Sequence, residues 1–113
     1  MPGNMSKPPR SEATVTGRLG ARVVERDLPS GDVVTTFTVV VDRPAKARRE
    51  GGAAVDSIPC QTFKASLADR LRGIPAGEWV TVSGTLRRRF WRSPSGLGSA
   101  MEVEVSSLTR VRT

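Results

Sequence analysis

A chain of 113 residues, 37% of them apolar, has room for one hydrophobic core and not for two. Eighteen Lys and Arg against eleven Asp and Glu leave a net charge of +7. With an isoelectric point near 11.2, the expectation is either a polyanionic partner or a merely solvated basic surface. No apolar run approaches the roughly 18–20 residues that a membrane-crossing helix needs, and one cysteine, Cys60, cannot build a disulfide framework.

The missing residue types narrow the chemistry further. There is no His and no Tyr, and acid–base steps near neutrality usually lean on His or a tuned carboxylate pair. The carboxylates are scattered, and no HExxH, CxxC, GxGxxG or Walker loop occurs. No catalytic residue, metal ligand or cofactor is therefore expected, and the protein reads as a non-enzyme.

Residues 1–12 are polar and Pro-rich and read as a flexible N-terminal arm, without the hydrophobic stretch of a secretory signal. The cytoplasm is the expected address. From Ala13 the pattern turns to period two, with Val15, Gly17 and Leu19 alternating with Thr16 and Arg18 through Val23. Leu28-Pro29-Ser30-Gly31-Asp32 is a turn, because Pro presets one φ and Gly tolerates the other sign. Val33–Val41 follows as a β-branched strand hairpinned to the first, with Phe37, Val39 and Val41 on one side. Arg43–Ala54 has no period, contains Pro44 and paired glycines, and reads as a mobile cationic loop.

Residues 57–64 form a shorter strand in which Pro59 demands an edge or strand-start position. Ser66 with Asp69 three residues on is capping-box-like, and Leu67, Leu71 and Ile74 fall on one helical face that stops at Gly73. After Pro75-Ala76-Gly77 the longest strand begins. Val80, Val82, Gly84 and Leu86 point one way, and Trp79, Thr81, Ser83, Thr85, Arg87, Arg89 and Trp91 the other. Ser93–Ser99 reads as a loop, and Met101, Val103 and Val105 alternate with Glu102 and Glu104 in a last strand. The order β-β-β-α-β-β describes an all-β domain with one short helix, a five-stranded OB-fold Greek-key barrel over residues 13–113. A Greek-key sandwich with an incidental helix fits the same pattern.

Four segments resemble the bacterial single-stranded DNA-binding proteins. Val15-Thr16-Gly17-Arg18-Leu19-Gly20 is similar to that family's first-strand motif, and Leu28-Pro29-Ser30-Gly31 with Val34–Val39 resembles its hairpin. Leu67-Ala68-Asp69 resembles its helix start, and Gly77–Trp91 (GEWVTVSGTLRRRFW) its longest strand, the most specific of the four. The resemblance implies an OB-fold that assembles as a tetramer, binds single-stranded DNA in replication, repair and recombination, and stacks bases on aromatics. Trp91 matches a stacking tryptophan of the family. A second family tryptophan aligns with Ile58, a phenylalanine aligns with Lys64, and a third tryptophan, due near Pro44, is missing. The chain ends at Thr113 with Arg110 and Arg112 where the family carries an acidic tail, so repair partners recruited through such a tail are not expected. The likeness is to a short, aromatic-poor member, in the manner of a paralogue.

Sequence-independent binding of a single strand needs a cationic track for phosphates and flat faces for bases. Each stacked base contributes about 1–3 kcal/mol, so a chain short of aromatics should lean on phosphates and show a steep salt dependence. Arg87, Arg89 and Trp91 share one strand face provided no bulge intervenes. With them the candidate DNA-binding residues are Arg18, Thr36, Arg43, Lys46, Arg48, Arg49, Ile58 and Lys64. For each cation the bland alternative is solvation alone; for Trp91 it is packing against a loop. Arg88 and Phe90, on the opposite parity, are expected to be solvated and to pack in the core or against a loop, respectively. Trp79 is expected to pack or to meet a second subunit, Cys60 to be buried and inert, and Glu102 and Glu104 to face solvent. A homo-oligomer is expected, a tetramer by resemblance, and nothing in the sequence excludes a dimer. The competing readings are an OB module that binds another protein of a replication-restart or nucleoid complex, and a small nuclease, which would need clustered carboxylates.

Overall fold

The computed structural model describes residues 8–48 and 51–112. Six strands and one helix follow in the order β1 (Glu12–Leu19), β2 (Val24–Asp27), β3 (Val33–Asp42), β4 (Val55–Thr62), α1 (Ala65–Arg72), β5 (Trp79–Ser93) and β6 (Gly96–Arg110), with a 3₁₀ turn at Ala45–Ala47. The expected strand over 13–23 divides at Gly20–Val23 into β1 and β2. At that break the chain leaves β5 and enters a hairpin with β3, Val24 opposite Thr36 and Asp27 opposite Val33. The sheet runs β1-β5-β6-β4-β3-β2, and β1 also pairs with β3. Arg18 opposite Val40 and Leu19 opposite Val39 close the ring. Gly17 makes that closure sterically feasible, since a Cβ there would collide with the Val40 carbonyl. The architecture is an OB-fold barrel of five strands with one helix, and β2 is an added strip on β3.

Alternation carries the apolar set inward. Leu19, Phe37, Val39, Cys60, Val80, Val82, Val103, Val105 and Leu108 fill the barrel, and Leu67, Leu71 and Ile74 from the helix side cover one end. Burying one such side chain stabilises the fold by about 1.5–3 kcal/mol before entropy is charged against it. Pro59 is accommodated as its missing N–H requires: β4 pairs with β6 only from Cys60 onward, opposite Val103. The helix begins at Ala65 rather than after a Ser66 cap, and Lys64 in the cap position makes no side-chain cap. Thr62 substitutes, accepting the Lys64 N–H at 3.2 Å while donating to the Val105 carbonyl at 3.0 Å. Arg70 donates to the Leu108 carbonyl at 2.6 Å, and Arg72 bridges Asp69 and Glu25, so the helix is tied to both β6 and β2.

Two boundaries move. The expected arm 1–12 lies outside the described residues as far as Lys7, but its inner end is already sheet. Ser11 exchanges hydrogen bonds with Leu86, its carbonyl accepting at 2.8 Å and its hydroxyl donating at 2.8 Å. The loop expected over Ser93–Ser99 shrinks to a turn at Pro94-Ser95, with Gly96 at φ +127. Ser93 Oγ donates to the Gly96 carbonyl at 3.1 Å, so both strands continue past the barrel rim as a projecting hairpin.

Candidate nucleic-acid interface

The hairpin formed by the outer halves of β5 and β6 positions the first part of the site. The one irregularity between these strands lies at Ser83/Gly84, where the register passes from Ser107 to Val105 and leaves Ser106 without a partner. The extra residue is on β6, so β5 keeps its alternation, and Arg87, Arg89 and Trp91 lie on one side opposite Glu102, Ala100 and Gly98. Trp91 lies across the strand pair on Gly98, where any Cβ would run into the indole. Trp91 remains 41% exposed, and the Arg89 guanidinium carbon stands 5.3 Å from its ring centroid. A base approaching this indole either stacks on the planar cation or displaces it.

Below Arg89 an open cleft of about 430 Å³ runs across the sheet between Ala21, Arg22, Val24 and Arg26, the β3 residues Thr36 and Thr38, Pro59 and Cys60, and Arg89 and Glu102. The structure thus brings Thr36 and Arg89 together from the sequence-derived set and adds Arg22, Arg26, Thr38 and Pro59. The signal for Arg22 and Arg26 was present: with Val24 they alternate at period two and lie, through the Leu28–Asp32 turn, alongside Thr36. Glu102 corrects an expectation. It is buried at 8% exposure rather than solvent-facing, because its strand position turns it into the cleft between Arg89 and Cys60. Burial, with help from the nearby Glu102 charge, pushes the Cys60 thiol up to about 12, so it stays protonated and unreactive.

The other candidates are dispersed. Arg18 lies beside Trp79 on the outer surface of β1 and β5, ion-paired with Asp42 at 2.8 Å. Arg43 holds Asp56 bidentately, at 3.0 and 2.7 Å, closing the neck of the cationic loop; that hydrogen bonding keeps the Asp56 carboxyl below the usual carboxylate range. Lys46 is exposed in the 3₁₀ turn, Arg48 donates to the Arg43 carbonyl at 3.0 Å, and Arg49 lies outside the described residues. Arg87 is paired with Glu104 at 3.3 Å. Ile58 stands opposite Val39 and packs against the core, with its side chain on the inner side of β4. Lys64 belongs to a different surface, a second cleft of about 410 Å³ between the Gly31–Val33 turn and α1, where Phe63 presents an open aromatic face that the alignment on Lys64 passed over. Trp79 is half open on the barrel's outer wall, and Phe90, expected to pack in the core or against a loop, is 66% exposed. Its strand has left the barrel by that point.

A small β-barrel with a cationic cleft leading to an arginine-capped tryptophan on a projecting hairpin defines an OB-fold protein with a surface suited to an extended polyanion. A profile of the single-strand binding protein family matches residues 11–111, and the chain belongs to that family. It is 39% identical over 82 residues to a single-stranded DNA-binding protein of Thermotoga maritima, a match covering 71% of this chain and 57% of that protein. The match thus spans little more than half of the relative's length. Among solved structures, one of the Plasmodium falciparum SSB complex with ssDNA superposes with a TM-score of 0.77 at 22% identity, over 94% of this chain and 98% of the other. At that identity the likeness concerns the fold.

Proposed function

We propose that this protein binds single-stranded DNA without sequence preference, serving replication, repair or recombination as a homo-oligomer at the nucleoid. The observation that carries the reading is the continuity between cleft and hairpin. Arg22, Arg26 and Arg89 line one groove, and Arg89 reaches from it over the indole of Trp91, which lies on Gly98. Guanidiniums supply phosphate contacts that no base sequence alters, and the indole supplies a face on which any base can stack. Thr36 and Thr38 add hydroxyls to the groove floor. Nothing in this arrangement calls for bond breaking, and the buried thiol offers no nucleophile.

Titration of the protein with oligo-dT, followed by tryptophan fluorescence in a Trp79→Phe background, tests the reading. Binding should quench Trp91, weaken steeply as salt is raised, and be nearly the same for oligonucleotides of unrelated sequence. Retained Trp91 fluorescence with no measurable affinity at low salt would instead favour an OB module that docks protein.

A further inference from the structure

The proposed interface occupies one side of the β5–β6 hairpin. The opposite side carries Arg88, Phe90 and Arg92 from β5, facing Met101, Ser99 and Leu97 of β6. Phe90 is the most exposed of the aromatic residues, and Leu97 beside it is 74% exposed. Arg88 Nη1 donates to Ser99 Oγ, the cross-strand neighbour of Phe90, at 3.2 Å. That bond directs the guanidinium toward the strand position opposite Phe90. Arg92 lies on the far side of Phe90 and walls a hollow of about 220 Å³ with Ser93, Gly96 and Leu97. One open aromatic therefore stands between two arginines, each two residues away on the same side, roughly 6–7 Å along the strand.

Charge separates the two sides. The Trp91 side includes Glu102, and Glu104 is paired with Arg87. The six residues of the Phe90 side include no carboxylate. An apolar contact with a second copy of the chain is disfavoured by the same feature, because a self-complementary pairing would bring the arginines of one copy against those of the other. A chain of phosphates and flat bases meets both demands of this surface at once.

We infer that the Phe90 side is a second stacking site for single-stranded nucleic acid, with a base on Phe90 and flanking phosphates at Arg88 and Arg92. The hairpin is then a blade clasped on both sides, Trp91 serving one and Phe90 the other. The inference rests on the single-strand-binding reading above and extends its path around the hairpin.

The test uses the whole chain with long oligo-dT, and oligonucleotides carrying 5-iododeoxyuridine for photo-crosslinking. Phe90→Ala and Phe90→Leu should each weaken binding by about five- to tenfold, toward the low end of what one stacked base contributes. Crosslinks should form at Phe90 as well as at Trp91. Arg88→Ala with Arg92→Ala should flatten the salt dependence. Full affinity in Phe90→Ala and no adduct at Phe90, with Trp91→Ala still impaired, overturns the second site and leaves the first standing. Full affinity in Phe90→Leu with loss in Phe90→Ala overturns stacking in favour of a general apolar contact. A change of assembly state in Phe90→Ala, read by sedimentation, assigns this side to a contact between copies and overturns the proposal. Failure of the unmodified protein to bind overturns both sites together.

Discussion

Leu97 and Leu108 lie on the same strand and, once the unpaired Ser106 is allowed for, on the same side of it, yet their exposures are 74% and 3%. The same contrast runs along β5, where Val80 and Val82 are wholly buried while Arg88, Phe90 and Arg92 continue their parity in the open. Apart from the bulge at Ser106, backbone pairing runs through both halves. What changes is the neighbour across the sheet: in the inner half the curved wall of the barrel, in the outer half solvent. A strand's alternation divides its residues between two sides, and closure of the sheet decides where one side becomes an inside.

The widest gap between the halves should appear in stability. Leu108→Ala should cost about 2–5 kcal/mol, as a cavity opens in a core with no slack. Leu97→Ala should change stability by no more than about 0.5 kcal/mol. Urea unfolding of both variants measures the difference, and similar losses would mean that the hairpin folds back on the body in solution.

Next in size is the loss of a base-stacking face. Trp91→Ala should weaken oligo-dT binding by about 1–3 kcal/mol while the unfolding midpoint barely moves. Gly98→Val should reproduce that loss, since its side chain takes the seat of the indole. A large fall in stability with Trp91→Ala would recast the tryptophan as a structural cover and erase the distinction between the halves.

Smaller effects belong to the cleft between them. Arg22→Ala and Arg26→Ala should each reduce the slope of log affinity against log salt by about 0.7, the share of one single-strand phosphate contact. Arg43→Ala should leave that slope nearly unchanged, because its guanidinium is already held by Asp56. Glu102→Gln should raise affinity by roughly two- to fivefold by removing an anion from a site meant for anions. The smallest response concerns Cys60. Its thiol is raised toward about 12 in the fold, against roughly 8.5 in an unfolded chain. The folded state therefore holds a proton that the unfolded state gives up, and this contribution is intact below about pH 8.5 and lost as pH rises toward the folded value. A thiol reagent should leave the native protein nearly unlabelled at pH 8 and label it promptly in denaturant.

The strands were legible in the sequence because their alternation is local, and the barrel because its element order admits few closures. The face shared by Arg87, Arg89 and Trp91 was legible for the same reason, and the bulge that could have spoiled it fell on the partner strand. The turn at Pro94-Ser95 is shorter than the sequence suggests, since Gly96 and Gly98 resemble loop residues until Trp91 is laid across Gly98. Phe90 stands in the open because its parity leads to burial only where the barrel wall faces it. Glu102 is the opposite case, an acid drawn into a cleft that only folding creates.

By itself the chain determined which stretches are extended, which residues share a side of each, the single helix, and a basic surface short of aromatics. These follow from periodicity, turn chemistry and composition, all of which act over a few residues. The tertiary structure alone decided which arginines are engaged and which line the groove. Arg18 finds Asp42 24 positions away, and Arg72 finds Glu25 47 positions away. Ion pairing and burial depend on distances in space, and those exist only once the sheet has closed.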